Sequence, residues 1–163
     1  MSADGALGGW RRALALCGLV VALDEVTKAI ATDAIVRGDR IDLVLGFELA
    51  NVRNRGVAFG LFDGNQEAVI AVTVVALALV LAYFANRAAT PGIWVPVGLL
   101  TGGALGNLAD RVRVDAVIDF IDPPLWPAFN LADVAITVGV IWLLAGYERS
   151  RDTAAAAARR DGG

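Results

Sequence analysis

The sequence predicts a membrane all-α bundle of four transmembrane helices with a small extracytoplasmic β-sheet cradle in the first loop. Two observations lead to this fold class. Hydrophobic residues make up 57% of the 163 residues, and the mean hydropathy is +0.62, well above what an ordinary soluble domain shows. Four long apolar segments also follow one another without a linker-like break, so we expect one integral-membrane domain over residues 1–163.

The first helix is predicted over residues 13–35, although its pattern is the least regular of the four. Residues 13–23 are apolar, and Asp24 and Lys28 then introduce charges. Two arginines precede the apolar run, as in a signal peptide, but the run before Cys17 is too short for the apolar core of such a peptide. We therefore expect a spanning helix that is retained.

The first connection, about residues 33–67, predicts a short β element. In "RIDLVLGFELANV", apolar residues occupy every second position from Ile41 to Leu49, which is typical of a strand with one buried face. Farther along, "NRGVAFG" predicts a polar-to-apolar turn that returns the chain to the membrane.

The other three helices are predicted over residues 68–86, 92–110 and 130–148. Residues 68–85 contain no charge and are long enough to span a bilayer. The third segment is uncharged up to Asp110, and its prolines lie near one end, where a spanning helix tolerates them. The fourth is uncharged after Asp133. A flexible, alanine-rich tail is expected over about residues 150–163.

The distribution of arginines predicts the orientation in the membrane. Five of them lie just outside the predicted helix ends on one side: Arg11, Arg12, Arg87, Arg149 and Arg151. Because positively charged flanks tend to stay in the cytoplasm, we expect both termini there. The two larger connections, about residues 33–67 and 110–129, then face the extracytoplasmic side.

The residue types that are missing exclude several kinds of site. The chain has no histidine, its one cysteine is Cys17 in an apolar run, and its only serines are Ser2 and Ser150. A Ser–His or Cys–His nucleophile and a histidine-ligated metal site are therefore excluded, and neither a metal nor a cofactor is expected. The net charge of −3 offers no basic field for nucleic acid. Carboxylates are the strongest candidates for acid–base chemistry.

Two polar groups interrupt the predicted helices. Asp24 and Lys28 are four residues apart, so they share a helix face and can form an ion pair, which inside a membrane usually faces the bundle interior. Asn107, Asp110 and Arg111 follow one another at the end of the third helix. They either brace a neighbouring carboxylate by charge-assisted hydrogen bonds or cap the helix. A structural and a functional role remain open for both groups.

Three glycines recur at intervals of four in the third helix: Gly98, Gly102 and Gly106. Such a stripe lets another helix backbone approach closely, so packing is its best interpretation. It is also the basis of one alternative, a non-catalytic membrane scaffold that dimerises through these glycines.

Two carboxylates bound the stretch "DFIDPPLWPAFNLAD". Asn130 and Asp133 have the spacing of a capping box, and the start of a helix favours an ionised Asp133. Asp119 lies between apolar neighbours and has no such structural explanation. Two nearby carboxylates cannot both ionise cheaply, so the pair can supply a base that activates water and an acid that protonates a leaving group. From the pair alone, capping and catalysis both remain open.

The loop between the two aspartates is stiffened by three prolines. Trp126, in the middle of the loop, is expected at the lipid interface. That this loop acts as a gate over the site is implied by the resemblance to a family that the motifs show when they are taken together.

Taken in order, the motifs resemble those of the lipoprotein signal peptidase (signal peptidase II) family. Asp24 and Lys28 lie in the first helix, "NRGVAFG" precedes the second, "GGALGNLADR" ends the third, and "VIDF" and "PAFNLAD" lead into the fourth. The resemblance covers the chain except its two ends. It implies an aspartic endopeptidase of the bacterial inner membrane that removes the signal peptide from diacylglyceryl-modified prolipoproteins.

The resemblance also assigns roles to residues. The family's two catalytic aspartates correspond to Asp119 and Asp133, which implies activation of water without a covalent intermediate, metal or cofactor. The implied partners are the lipid-modified prolipoprotein, membrane lipids and cyclic peptide inhibitors of the globomycin type, which occupy the catalytic site. The residues implied to support the site or bind substrate are Asp24, Lys28, Asn54, Gly56, Asn107, Asp110, Arg111 and Asn130.

The main alternative is a small proton-coupled membrane transporter. Its relay would consist of Asp24, Lys28 and Asp133. A relay needs ionisable groups spread through the membrane depth, whereas most of those in this chain gather toward one face.

Overall fold

Four helices and a three-stranded sheet make up the part of the chain that the computed structural model describes, residues 3–56 and 65–161, with side chains from Asp4 to Glu148. The helices are α1 (Ala3–Ala34), α2 (Gln66–Ala85), α3 (Trp94–Val114) and α4 (Leu131–Asp161). The strands are β1 (Arg40–Asp42), β2 (Glu48–Asn54) and β3 (Val117–Asp122). The prediction of a helical chain with a small sheet is confirmed.

Two helices are longer than the sequence predicts. α1 begins at Ala3 rather than near residue 13, because the two arginines before that position are good helix formers and Trp10 anchors the early turns. The Trp10 ring packs edge-on against Phe84 of α2, with ring centroids 4.6 Å apart. α4 continues to Asp161, so helical backbone covers most of the segment for which flexibility is predicted, as an alanine-rich run favours.

α3 is the central helix and packs against each of the other three. Its glycine stripe faces α1: a Cβ on Gly98 would lie 2.9 Å from Leu16 Cβ, and one on Gly102 would lie 2.7 Å from Val20 Cβ. Close approach of this kind is the known use of small residues in helix packing. Because α1 already covers these glycines, they are not available for the dimer contact that the scaffold alternative requires.

The sheet has the strand order β1–β2–β3, and both pairs are antiparallel. The β element that the sequence predicts around residues 41–49 is present, as a hairpin of β1 and β2 rather than as one strand. Leu45 and Gly46 have positive φ angles of 59° and 78°, and a hydrogen bond of 2.8 Å from the Leu43 N–H to the Phe47 carbonyl closes a hairpin loop around them. The period-two pattern therefore runs through a turn.

The third strand comes from the second connection, where the sequence pattern did not indicate one. α3 ends at Asp115, whose left-handed backbone (φ 55°) turns the chain back into β3. In the antiparallel register, Asp119 lies opposite Val52 and Val117 lies opposite Asn54. The pairing of β3 with β2 thus carries Asp119 to the end of β2.

Two helical segments among the described residues are long and apolar enough to cross a membrane. They are Gln66–Ala85 and Leu131–Glu148, with mean hydropathies of 2.7 and 1.5. Their apolar side chains face outward, since Val72 of α2 and Ile141 of α4 are 58% and 61% exposed. Extended apolar surface of this kind marks contact with a membrane or a partner. That all four helices span a membrane stays a prediction.

Candidate active site

A cavity of about 490 Å³ lies where β2, α3, β3 and the start of α4 meet. Both predicted catalytic residues line it, Asp119 from β3 and Asp133 from the first turn of α4. Four predicted supporting residues line it as well: Asn54, Gly56, Asn107 and Arg111. The other four are buried in the protein next to it: Asp24, Lys28, Asp110 and Asn130. The fold therefore gathers all ten residues at one place.

Asp119 is almost completely enclosed, with 1% of its surface exposed. Its Oδ2 accepts a hydrogen bond from Asn54 Nδ2 at 2.9 Å, and its Oδ1 accepts one from Asn130 Nδ2 at 2.8 Å. Burial raises the pKa of Asp119 to about 7, and the negative charge of Asp133 is the second cause. The two asparagine hydrogen bonds and the charge of Lys28 act against this rise without cancelling it.

Asp133 forms the capping box that its spacing from Asn130 predicts. The Asn130 N–H donates to Asp133 Oδ2 at 3.2 Å, and the Asp133 N–H donates to Asn130 Oδ1 at 2.9 Å. Asp133 Oδ1 accepts a further hydrogen bond of 2.8 Å from Asn107 Nδ2. Two donors and the start of a helix stabilise the negative charge of this carboxylate.

Asn130 connects the two carboxylates. Its backbone N–H binds Asp133, while its side-chain amide binds Asp119 and also donates to Asn107 Oδ1 at 3.0 Å. Asn130 is fully buried, so these contacts fix the relative positions of β3 and α4 around the cavity.

Lys28 is the centre of a buried ion cluster beside the cavity. Its Nζ lies 2.7 Å from Asp24 Oδ2 and 2.8 Å from Asp110 Oδ2, and it donates a hydrogen bond of 3.1 Å to Asn107 Oδ1. We refer to Asp24, Lys28 and Asp110 as the lysine cluster. The predicted pairing of Asp24 with Lys28 is confirmed. Asp110 joins it as a second counter-charge that the sequence spacing did not indicate.

Each carboxylate of the lysine cluster also accepts a backbone N–H. Asp24 Oδ1 accepts that of Ala132 at 2.9 Å, and Asp110 Oδ2 accepts that of Ile118 at 3.1 Å. The amide of an apolar residue gives no signal in a sequence, so these two contacts could not be predicted. They tie α1 to α4 and α3 to β3.

Arg111 reaches the cavity but hydrogen-bonds to backbone carbonyls. Its guanidinium donates to the Gly56 carbonyl at 3.1 Å and to the Asn107 carbonyl at 3.3 Å. The Gly56 N–H in turn donates to Asn54 Oδ1 at 3.0 Å, so this chain of contacts orients Asn54 toward Asp119. The part of "NRGVAFG" after Gly56 lies outside the described residues.

The loop that joins β3 to α4 closes over one side of the cavity. Trp126 lines the cavity while 61% of its surface is exposed. The loop is anchored at its end, where Ile121 and Phe129 exchange two backbone hydrogen bonds of 2.9 Å. Its middle, with Leu125 95% exposed, makes the loop an exposed cover rather than part of the core.

The arrangement is chemically suited to moving protons. A buried carboxyl group with a pKa of about 7, Asp119, shares the cavity with Asp133, whose charge is stabilised by donors. Near neutral pH such a pair holds one proton, which provides an acid and a base side by side. Among the described residues, no group of three or more His, Cys, Asp and Glu side chains is placed to hold a metal ion.

Comparison with known sequences identifies relatives over most of the chain. A family model described as signal peptidase (SPase) II matches residues 16–147. The lipoprotein signal peptidase of Pelotomaculum thermopropionicum is 42% identical over 130 residues, which cover 78% of this chain and 86% of that protein. That of Halothermothrix orenii is 35% identical over 127 residues, which cover 77% of this chain and 88% of that protein.

Comparison with solved structures gives the same outline. A bacterial membrane enzyme determined by the in meso method at 2.3 Å resolution has a TM-score of 0.80 and 30% identity, and the match covers 86% of this chain and 90% of that chain. A second, at 1.9 Å resolution, has a TM-score of 0.74 and 31% identity, covering 83% and 91%. The chain belongs to the signal peptidase II family, and it is therefore a membrane protease of lipoprotein processing.

Proposed function

We propose that this protein is an aspartic endopeptidase that cleaves the signal peptide from diacylglyceryl-modified prolipoproteins. The observation that carries the proposal is the pair of carboxylates that share one cavity, Asp119 and Asp133. Membership of the family supports cleavage of prolipoprotein signal peptides. The carboxylate pair supports a chemistry for that cleavage which uses neither a serine nor a cysteine nucleophile.

Asp133 acts as the general base in this mechanism. It accepts hydrogen bonds from the Asn130 N–H and from Asn107 Nδ2, and it lies in the first turn of α4, a position that suits a carboxylate. An anionic carboxylate beside the substrate can remove a proton from a water molecule.

Asp119 acts as the general acid. Because its pKa is raised to about 7 by burial and by the charge of Asp133, a large fraction of the molecules carry a proton on Asp119 at neutral pH. Both of its oxygens are held by amide donors, from Asn54 and Asn130, so the carboxyl group has a fixed direction in the cavity.

The reaction then proceeds through a tetrahedral intermediate. Asp133 takes one proton from water as the water oxygen bonds to the scissile carbonyl carbon, and Asp119 hydrogen-bonds to the carbonyl oxygen as negative charge develops there. The C–N bond breaks while Asp119 gives its proton to the departing nitrogen. Transfer of the remaining proton from Asp133 to Asp119 restores the resting pair.

The enzyme lies in the bacterial inner membrane with both termini in the cytoplasm and the cavity toward the extracytoplasmic face. The exposed arginines Arg11 and Arg12 lie near the start of α1, whereas the lysine cluster lies toward its other end, next to the sheet. This polarity supports the proposed orientation. The signal helix of the substrate enters sideways from the bilayer, along the outward apolar surface of α2 and α4.

The loop that contains Trp126 serves as a gate over the cavity. Trp126 combines a place in the cavity lining with a largely exposed ring, and an indole is well suited to the interface between lipid and water. Cyclic peptides of the globomycin type bind in the same cavity and compete with substrate. Competition kinetics with such a peptide would show a raised KM at unchanged kcat if this placement holds.

A cleavage assay with the purified protein tests the proposed function. The protein, in detergent or in lipid vesicles, is incubated with a diacylglyceryl-modified prolipoprotein, and release of the signal peptide is followed on a gel. We expect cleavage by the wild type and none detectable with Asp119→Asn or Asp133→Asn. Cleavage at the wild-type rate by both variants would rule out the aspartic mechanism.

The transporter alternative has no support among the relatives, which are peptidases. Lys28 also forms ion pairs with both Asp24 and Asp110, so Asp24 and Lys28 are not free to pass protons along a relay. The transporter alternative would be ruled out if proton flux into vesicles were the same with and without the protein.

A further inference from the structure

Asp110 of the lysine cluster binds the backbone directly before Asp119. Its Oδ2 accepts the backbone N–H of Ile118, the residue directly before Asp119, at 3.1 Å. The peptide planes of consecutive residues are joined at one Cα, so a shift of the Ile118 amide moves the backbone of Asp119. The Asp110 carboxylate is only 4% exposed, and water cannot easily replace it as an acceptor.

Asp24 binds the backbone directly before Asp133 in the same way. Its Oδ1 accepts the N–H of Ala132, the residue directly before Asp133, at 2.9 Å. Ala132 lies in the first turn of α4, where backbone N–H groups have no acceptor within the helix. An acceptor from α1, 108 residues away in the sequence, therefore fixes where α4 begins.

Lys28 joins the two holding carboxylates through its single ammonium group, at 2.7 Å from Asp24 and 2.8 Å from Asp110. Asp24 Oδ2 has the Lys28 ammonium 2.7 Å away, so Lys28 compensates the charge of this buried oxygen. Without that charge, two buried carboxylates would be left to repel each other. They would then move or take up protons.

Lys28 also fixes the direction of an amide in the cavity wall. Its ammonium has only donors, so the oxygen of the Asn107 side chain must face it, and Lys28 donates to Asn107 Oδ1 at 3.1 Å. The Asn107 amide nitrogen is thereby turned toward Asp133, to which it donates at 2.8 Å. Removal of Lys28 would leave the Asn107 oxygen with the Asn130 amide as its donor, at 3.0 Å, so Asn107 would be held less firmly.

We propose that Lys28 is a positioning residue for both aspartates of the cavity. It binds Asp24 and Asp110, and each of these carboxylates accepts the backbone N–H of the residue that precedes one of the two aspartates. The proposal rests on the proposed function only for its consequence in catalysis. Its structural content, one lysine controlling two distant amides, can be tested without substrate.

The first test follows the two amides directly by NMR, in the full-length protein labelled with ¹⁵N at isoleucine and alanine. We expect Asp24→Asn to shift the Ala132 amide proton upfield, because Asp24 uses one oxygen for Lys28 and the other for the amide, and an asparagine has only one. We expect Asp110→Asn to shift the Ile118 amide proton in the same direction, because a neutral amide oxygen is a weaker acceptor than a carboxylate. Lys28→Met is expected to shift both signals. Unmoved signals in Lys28→Met, or both signals moved equally by every variant, would overturn the proposal.

The second test measures kcat and KM for cleavage of a lipid-modified prolipoprotein. A misplaced catalytic group can lower the rate by about 100-fold, so we expect Lys28→Met to lower kcat by about that factor with KM unchanged. A role confined to stability would instead leave kcat per folded molecule at the wild-type value.

The pH profile gives a readout that loss of packing alone would not move. Lys28 is one of the charges that lower the pKa of Asp119, so its removal should shift the limb of the profile near pH 7 to higher pH. The other charged groups that face Asp119 are Asp133 from α4 and Arg111 from α3. Neither of these charges is removed in the variant.

A pair of glycine variants tests the same point without changing charge. A Cβ on Gly106 would lie 2.5 Å from Asp24 Oδ2, whereas one on Gly102 would lie 2.7 Å from Val20 Cβ. Both substitutions crowd α1, but only Gly106→Ala pushes on the lysine cluster. We expect Gly106→Ala to shift the Ala132 amide and to lower kcat, and Gly102→Ala to do neither. Equal behaviour of the two variants would contradict the proposal, and this pair decides the matter if Lys28→Met does not fold.

The two proposals fail in different ways. If the wild type does not cleave the prolipoprotein, the proposed function falls, and the amide signals alone decide the role of Lys28. If the wild type cleaves and the variants keep full kcat with unmoved amides, the positioning role falls and the proposed function stands.

Discussion

The protein buries two pairs of carboxylates side by side, and the pairs differ in what lies between their members. Asp24 and Asp110 share the ammonium of Lys28, at 2.7 Å and 2.8 Å. Asp119 and Asp133 are connected by asparagine amides instead. The first pair is compensated by a full charge and the second by neutral donors.

This difference separates a carboxylate pair that holds the backbone from a carboxylate pair that takes part in the reaction. A cation between two carboxylates compensates their charge and holds them in place, which suits acceptors that must hold backbone amides. Neutral donors do not cancel the effect of burial or the repulsion from the charge of Asp133, and these two causes, burial first, raise the pKa of Asp119 to about 7. The same residue type thus serves as scaffold in one pair and as reagent in the other.

The largest expected effect comes from neutralising the reacting pair. General acid–base groups contribute about 10²–10⁴-fold to rate, so Asp119→Asn and Asp133→Asn should each lower kcat/KM by at least about 100-fold. Single-turnover cleavage of a lipid-modified prolipoprotein measures this. The matched control is Asn86→Asp, an exposed position at the end of α2, which should cleave normally. Loss of activity in the control as well would point to a general defect.

Removing the cation from the holding pair should cost stability. Breaking a buried ion pair from one side destabilises by about 3–5 kcal/mol, and we expect a loss of this size for Lys28→Met in unfolding experiments in detergent. The triple variant that also carries Asp24→Asn and Asp110→Asn should regain part of the loss, because no uncompensated charge remains. A triple variant less stable than Lys28→Met would contradict the charge argument.

The pH dependence should report the reacting pair. With Asp119 as the acid, its protonated form is lost above about pH 7, so kcat/KM should fall by about tenfold per pH unit beyond that point. A rate that instead rises through pH 7 would make Asp119 the base and reverse the assignment of the two aspartates.

The same raised pKa has a consequence for folding. The folded protein holds a proton on Asp119 that the unfolded chain loses above its ordinary pKa of 3.8. The free energy of unfolding should therefore decrease as the pH rises from about 4 to about 7, and this contribution should vanish in Asp119→Asn. A pH-independent difference in stability between the two proteins would contradict it.

The smallest effect on stability is expected where an exposed cation lies between two carboxylates. On the sheet, Arg40 lies 2.8 Å from Glu48 and 2.5 Å from Asp122, with 53% of its side chain exposed. Exposed ion pairs contribute little to stability, so Arg40→Met should lower the free energy of unfolding far less than Lys28→Met does. A loss as large as that of Lys28→Met would mean that burial does not set the difference.

Local spacing explains which contacts could be predicted from the sequence. Asp24 and Lys28 are four residues apart on one helix, and Asn130 and Asp133 are three apart at a helix start, so helix geometry alone brings each pair together. The apolar segments that form the helices could also be predicted from local sequence. The start of α1 and the end of α4 could not.

Contacts between distant segments could not be predicted in this way. Nothing in the sequence around Asp110 indicates that it meets Lys28, and the amides of Ile118 and Ala132 carry no side-chain signal. The third strand was missed because β3 gains its structure by pairing with β2, a long-range contact. The resemblance to a family named the residues of the site, but their hydrogen-bond partners come from the fold.

The pairing of Lys28 with Asp24 inside one helix also bears on how the protein is made. α1 leaves the ribosome before α3 and α4 exist, so at that moment Lys28 has no Asp110 to meet. A lone charge at the centre of a spanning helix costs about 2.5–3.5 kcal/mol on insertion, whereas a partner one turn away on the same helix lets the two neutralise each other in the translocon. If α1 spans the membrane as predicted, it would therefore enter the bilayer with its own counter-ion, and Lys28 would gain its second carboxylate only when Asp110 arrives on α3.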